Sequence, residues 1–280
     1  MFVKQKFFLI GAAIGVVLII LAFGLRRTQP DQLVSFYTPP GALKIVNPKM
    51  FLPPKDFQTS GKSVKIPILM YHYVEYNKDL KDTIRTSLSV APHWFEKQLL
   101  ELKSQGYETI SLDELFTTHA KKPIILTFDD GYRDFYTDAY PLLKKYNMKA
   151  TIYVISQFLN RPNYLTIDQL KELAASPLIT VGAHTQHHVS LPNVSLNEAK
   201  IEIFGSKTDL EKLLGIKINQ FAYPYGRFNT AVEELVKEAG FQTAVTTLPG
   251  DTQSNLFALT RIRVGNSLLV THKLFSENGR

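Results

Sequence analysis

Two short segments of this chain carry residue types that do chemistry together: Thr127-Phe128-Asp129-Asp130-Gly131 and His184-Thr185-Gln186-His187-His188. One Asp with two His gives three O and N donors and leaves coordination positions open for water and substrate. That is how catalytic, rather than structural, divalent-metal sites are built. The second carboxylate is then free to handle protons. Taken singly, an Asp-Asp-Gly turn is commonly a solvated loop and clustered His are commonly surface residues, so the inference rests on the pairing. Asp129 and Asp130 must diverge at a strand end, which lets one face the metal and the other the reacting water. His184 and His188 share a side whether the segment turns helically or stays extended, and in the helical case His187 points elsewhere.

Each segment follows an apolar β-type run, 123–126 and 178–181, which puts its polar residues at the C-terminal end of a buried strand. Active sites of α/β barrels and open sheets assemble there. The sequence pattern predicts strands near 66–71, 109–110, 124–128, 150–155, 179–182, 220–223, 243–246 and 260–264. Helices are expected over 93–104, 112–119, 136–146, 167–175, 196–214, 230–239 and 267–276. Ser195 with Glu198 reads as a capping box, and Gly215 and Gly240 read as helix-closing glycines. This alternation predicts an α/β fold, an irregular (β/α) barrel of about seven to eight parallel strands. A third segment, Phe221-Ala222-Tyr223-Pro224-Tyr225-Gly226, also follows a strand, and its backbone N–H groups could serve an oxyanion.

The 280 residues, 45% apolar and 11% aromatic, suffice for a sizeable core. The absence of Cys excludes disulfides, iron–sulfur clusters and a thiol nucleophile. Residues 7–25 form an uninterrupted run of apolar residues and glycine, flanked by Lys4, Lys6, Arg26 and Arg27. At about 19 residues the run is near the length that spans a bilayer as a helix. A cleaved signal peptide is the competing reading, but its apolar region is shorter and ends at a small-residue site, which is missing here. The expected organisation is a short cytoplasmic N-terminus over 1–6, a transmembrane signal anchor over 7–25, a Pro-rich extracellular stalk over 26–62 and a catalytic domain over 63–280. The protein would then be a single-pass cell-membrane protein with its catalytic domain outside, or secreted if the segment is cleaved. The formal net charge is +7. Scattered lysines without a compact run argue against nucleic acid as a partner, and attraction to an anionic wall or membrane surface is the sharper reading of that charge. The sequence assigns no oligomeric state.

The two motifs together resemble the polysaccharide deacetylase family with the NodB-homology domain, carbohydrate esterase family 4, over approximately residues 64 to 265. Thr127 to Gly131 match its Thr-Phe-Asp-Asp-Gly motif and His184 to His188 its His-Ser/Thr-x-x-His motif. By position, the resemblance implies Asp129 as general base, with Asp130, His184 and His188 binding one divalent metal. Zinc is the conservative assignment, and Co, Ni, Mn or Fe also suit such a donor set. In the third family motif Pro224, Tyr225 and Gly226 fit, with the Tyr225 N–H holding the oxyanion, but Ala222 stands where the Arg that orients the base is common. Arg261 or Arg263 could supply that charge from a neighbouring strand. The usual C-terminal Leu-x-His is also missing, since His272 falls in the expected terminal helix. The domain instead begins Pro67-Ile68-Leu69-Met70-Tyr71-His72-Tyr73, which resembles the circularly permuted branch that includes biofilm poly-N-acetylglucosamine deacetylases. His72 is there the general acid, and a barrel tolerates the permutation because its first and last strands are neighbours.

The implied reaction is hydrolysis of N-acetyl groups on an extracellular N-acetylglucosamine polymer, with poly-β-1,6-N-acetylglucosamine favoured and acetate released. Alternatives are a peptidoglycan N-acetylglucosamine deacetylase, an O-acetyl esterase on wall polysaccharide or xylan, and a pseudoenzyme that binds glycan without cleaving it. A metal-dependent amidase or phosphoesterase is a further rival, although a two-metal phosphoesterase wants more ligands than these motifs offer. The polar segment 77–89 reads as a rim over a polymer groove or a plain surface loop, and Trp94 as a core residue of its helix.

Overall fold

The computed structural model describes residues 63–115 and 118–267. The expected cytoplasmic N-terminus, signal anchor and stalk, together with nearly all of the terminal helix and His272, lie outside the described residues. Among the described residues no helix is long and apolar enough to cross a membrane.

The chain builds a closed barrel from seven parallel strands: β1 (Ile68–Tyr71), β3 (Pro123–Phe128), β4 (Ala150–Val154), β5 (Ile179–Ala183), β6 (Gln220–Ala222), β7 (Thr243–Pro249) and β8 (Leu259–Arg263), with β2 (Glu108–Thr109) added beside the start of β3. Closure runs through β1, which pairs with β3 in the register Ile68↔Ile125 to Tyr71↔Phe128 and with β8 through Ile262↔Leu69. The first and last barrel strands are therefore neighbours. Period-two alternation sorts each strand into an inward and an outward set. The lower interior is apolar, with Ile66, Ile68, Ile125, Tyr153, Ala222, Val245 and Leu259 in one buried cluster. Outward, Tyr71 and Phe128 stack at 4.9 Å and meet Phe95 edge-on, joining the barrel to the helix that follows.

The helices are α1 (Thr83–Leu88), α2 (Pro92–Ser104), α3 (Tyr140–Tyr146), α4 (Ile167–Ala175), α5 (Leu196–Leu214) and α6 (Thr230–Glu238). Their starts are written in side chains: Thr166 with Gln169 forms a reciprocal capping box on α4, Ser195 accepts from the Glu198 N–H on α5, and Asn229 accepts from Val232 on α6. Gly215, at φ 69°, closes α5.

Three regions depart from expectation. Of the helix expected over 112–119, the described residues show a 3₁₀ turn, Leu112–Glu114, under a Ser111–Glu114 capping box; the Glu114 carboxylate also binds Lys149, Thr118 Oγ1 caps its own turn at Ala120, and residues 116 and 117 lie outside the described residues. The helix expected from 136 opens with a π-helical turn, Phe135–Ala139, before α3. The segment read as an irregular rim contains α1, capped by Asp82, and is stapled by Arg85 to Glu75 through two bonds of 2.5 and 2.6 Å.

Candidate active site

The C-terminal strand ends converge. β1 delivers His72, β3 delivers Asp129 and Asp130, β5 delivers His184, and β6 leads into Pro224 and Tyr225. Asp129 continues the inward face of β3 two residues beyond Thr127, whereas Asp130 takes φ 75° and Gly131 the same angle, so the chain leaves the strand and the two carboxylates part. The 184–188 segment is neither helical nor extended: Thr185 and His188 sit at φ 63° and 59°, and this tight turn brings His188 back beside His184.

Asp130 Oδ1 lies 3.3 Å from the Nε2 atoms of both His184 and His188, and the three ligand atoms fall within 4.8 Å of one another. His184 Nδ1 is 2.7 Å from the Ala222 carbonyl oxygen, which only accepts, so Nδ1 donates there and Nε2 is the ring atom turned to Asp130. Asp130 Oδ1 is buried without a hydrogen bond. A buried carboxylate oxygen and two imidazole nitrogens that converge in this way are the donor set that fits a divalent ion. Burial pushes the Asp130 carboxyl up, but the two imidazoles outweigh it and hold the group well below the ordinary Asp value.

Asp129 has different company. Arg261, fully buried on the inward face of β8, donates from Nη1 to Oδ1 and from Nη2 to Oδ2, both at 2.7 Å. Its Nε is bonded to Thr246 O at 2.7 Å and its Nη1 also reaches Thr127 Oγ1. Burial raises the Asp129 pKa, and the guanidinium overrides that effect to leave it below the ordinary value. His72 Nε2 stands 3.8 Å from Asp129 Oδ2. Burial lowers the His72 pKa despite the nearby Asp129 and Asp130 carboxylates.

Of the two arginines offered for the base, Arg261 reaches Asp129 and Arg263 does not. Arg263 lies at the exposed end of β8 and donates to the Ser87 carbonyl and hydroxyl at 3.0 and 3.1 Å. Ala222 belongs to the same buried interior that Arg261 enters from β8. The charge absent from β6 is thus supplied two strands away. Tyr225, at φ 59°, sets its ring 4.6 Å from that of His188, with Pro224 buried beside it. Trp94 is partly covered, with Lys97 over its ring at 4.5 Å.

Sequence reasoning missed an aromatic wall. Tyr73 stacks on Tyr132 at 3.9 Å, and Tyr132 packs against Tyr164 at 5.1 Å. Burial and then the Asp130 charge push the Tyr132 hydroxyl up, which marks its closeness to the site. The available signal was adjacency: Tyr73 follows His72 and Tyr132 follows the Asp-Asp-Gly turn. Also missed was Glu202 on α5, which accepts from the Gln186 and His187 N–H groups at 2.9 and 2.8 Å.

Comparisons with known proteins agree with this picture. The sequence profile of the polysaccharide deacetylase family matches residues 117–244. YxkH of Bacillus subtilis (strain 168), a relative named for that family, is 36% identical over 211 residues, 72% of either chain. The poly-β-1,6-N-acetyl-D-glucosamine N-deacetylase of Staphylococcus aureus is 29% identical over 189 residues, 61% of this chain and 63% of its own. Among solved structures, the Streptococcus pyogenes deacetylase PplD, determined with acetate, superposes with a TM-score of 0.67 at 35% identity, covering 72% of this chain and 93% of its own. With its barrel, its convergent carboxylates and imidazoles, and a relative this similar over most of both lengths, the chain belongs to the polysaccharide deacetylase family of hydrolases.

Proposed function

We propose that this protein is a metal-dependent de-N-acetylase of an extracellular N-acetylglucosamine polymer, poly-β-1,6-N-acetylglucosamine by preference, that releases acetate. The observation that carries the reading is the side-by-side placement of a three-donor cluster, Asp130, His184 and His188, and a separately tethered carboxylate, Asp129, within reach of His72. The named activity of the Staphylococcus aureus relative supports the choice of polymer. Asp130, His184 and His188 would hold one divalent ion, Zn as the conservative assignment; when bound, such an ion polarises the acetamide carbonyl and acidifies water.

The remaining chemistry belongs to the chain. Asp129, kept ionised by Arg261, takes the proton of the attacking water at a carboxylate oxygen. Burial lowers the His72 pKa, which disfavours the protonated ring at rest. A proton passing from the Asp129 carboxyl to His72 Nε2, 3.8 Å away, is then handed to the departing amine. The Tyr225 N–H steadies the oxyanion. The missing Arg at Ala222 argues weakly for the pseudoenzyme reading, and Arg261 reaching Asp129 weakens that argument.

Acetate release from poly-N-acetylglucosamine oligomers, peptidoglycan glycan strands and acetylxylan, by protein loaded with Zn, Co or Ni, tests the reading. Release from the first, abolished in Asp129→Asn, is the expected result. Release from another polymer alone would reassign the substrate, and folded, metal-loaded protein inert on all three would sink the deacetylase reading. The membrane anchor over 7–25, with the catalytic domain outside, rests on the apolar run and its basic flanks. Digestion of the domain by protease added to intact cells, with a membrane-bound stub left behind, would support it.

A further inference from the structure

The backbone carrying two of the three metal donors is in a conformation that it does not favour by itself. Thr185 and His188 both have positive φ, and for a β-branched Thr that is a rare state. Such backbone persists only where its surroundings over-determine it. Thr185 Oγ1 accepts the His188 N–H at 2.9 Å within the turn, the Ser156 and Gln157 N–H groups bond the turn's carbonyls, and the rest of the surroundings are one face of α5. Glu202 and Asp209 are seven residues apart, two helical turns, and so lie on the same face. Glu202, buried, takes the Gln186 N–H on Oε2 at 2.9 Å, the His187 N–H on the same atom at 2.8 Å, and His187 Nδ1 on Oε1 at 2.8 Å. Asp209 Oδ2 takes Gln186 Nε2 at 2.9 Å and binds Ser156 Oγ and Gln157 Nε2, both at 2.8 Å, so the turn is tied to the end of β4 as well.

Between these two carboxylates stands Gly205. A Cβ there would come within 2.4 Å of the Gln186 side chain. A glycine inside a long helix costs stability relative to alanine, and here it opens the slot in which Gln186 lies. Three positions on one helix face thus read both the backbone and the side chains of the metal-donor turn.

We propose that Glu202 and Asp209, with Gly205 making room between them, are positioning residues for the metal centre, fixing the 184–188 turn so that His184 and His188 present their Nε2 atoms to one ion. This rests on the reading that Asp130, His184 and His188 hold a divalent metal. The carboxylates touch neither ion nor substrate and act through the turn. Partners of this kind, when removed, commonly lower metal affinity 10–100-fold.

Glu202→Gln keeps the shape and one acceptor, and it is the first variant to make in the full chain. Co(II) affinity by calorimetry, the visible spectrum of the Co(II) form, thermal melting and the kcat and KM of acetate release are compared with wild type. The expected result is a 10–100-fold weaker Co(II) affinity, an altered visible band and a lower kcat, with KM changed by less than about twofold. Gly205→Ala should shift the same Co(II) spectrum by displacing Gln186, and Asp209→Asn should do so more mildly. Glu238→Gln, which removes only the exposed partner of Lys200, should leave the spectrum unchanged. Folded Glu202→Gln with wild-type Co(II) affinity and spectrum overturns the proposal. If that variant does not fold, Gly205→Ala and Asp209→Asn decide on the same readouts. Wild-type protein that takes up no Co(II) overturns the metal reading and this inference with it. Wild-type protein that binds Co(II) but releases no acetate defeats only the deacetylase reading, and the affinity comparison still decides.

Discussion

Asp129 and Asp130 are covalent neighbours, both buried at the same strand end, and they sit in opposite surroundings. Asp129 is tethered: each oxygen has its own guanidinium N–H at 2.7 Å. Asp130 is left open, with Oδ1 facing two imidazoles and bonded to neither. One φ angle separates them, since Asp129 stays on the inward face of β3 and Asp130 turns out of it at φ 75°. Two identical side chains become suited to different tasks because the fold offers one a fixed counter-charge and the other a gap for a cation.

Removing a donor from the open side should have the largest effect. His184→Ala should lose the bound ion, read by metal analysis of the purified protein, and acetate release should fall to background. Asp129→Asn should keep the ion and the fold while losing about 10²–10⁴ in rate. If Asp129→Asn loses metal as readily as His184→Ala, the division between the two carboxylates collapses.

Arg261→Met sharpens the tethered side. It leaves a buried carboxylate without its partner, a loss of about 3–5 kcal/mol that denaturant unfolding would register. A near-silent Arg261→Met would mean that Asp129 is solvated or protonated in the native state.

A third carboxylate on the same stretch extends the comparison. Burial pushes Asp134 up to about 7, partly offset by the Val74 N–H that it accepts. Between the ordinary Asp value and about 7 the unfolded chain has lost this proton while the folded protein keeps it, so the group's contribution to stability falls as pH rises through that window and is level above it. Asp134→Asn keeps an acceptor but cannot ionise. The melting temperature of wild type relative to Asp134→Asn should therefore drop from pH 4 to 7 and flatten beyond. A constant difference across that range would show that Asp134 is ionised throughout. The smallest effect belongs to Arg263→Ala, within about 0.5 kcal/mol in unfolding and with acetate release near wild type, because its partners are the exposed Ser87 groups.

The motif residues were legible because their spacing and the apolar runs before them carry both chemistry and address. Asp129, Asp130, His184, His188 and His72 all fall at strand ends that the alternating pattern predicts, and α4 and α5 span 167–175 and 196–214 as expected. The choice between Arg261 and Arg263 was not legible. Both sit on the same face of one strand by period, and only the depth of the barrel separates a residue in the interior from one at the rim. The turn at 184–188 was illegible in a different way: neither helical nor extended geometry describes it, and its hydrogen bonds run to Thr185 Oγ1 within the turn, to the segment after β4 and to carboxylates on a helix that begins eight residues later. Where a helix was expected from 112, the described residues show a 3₁₀ turn over Leu112–Glu114, because a capping box marks a helix start without fixing the geometry that follows.

The closure of the barrel between β1 and β8 has a consequence for the order of events during synthesis. Arg261 lies 132 residues after the carboxylate it neutralises and on the last barrel strand to leave the ribosome. Until that strand arrives, Asp129 has no guanidinium, β1 has only one of its two neighbours, and the interior stays open to water. Asp129 acquires its charge partner in the same step that seals the barrel, so a nascent chain stopped before β8 would carry every motif residue and still lack the Arg261–Asp129 pair.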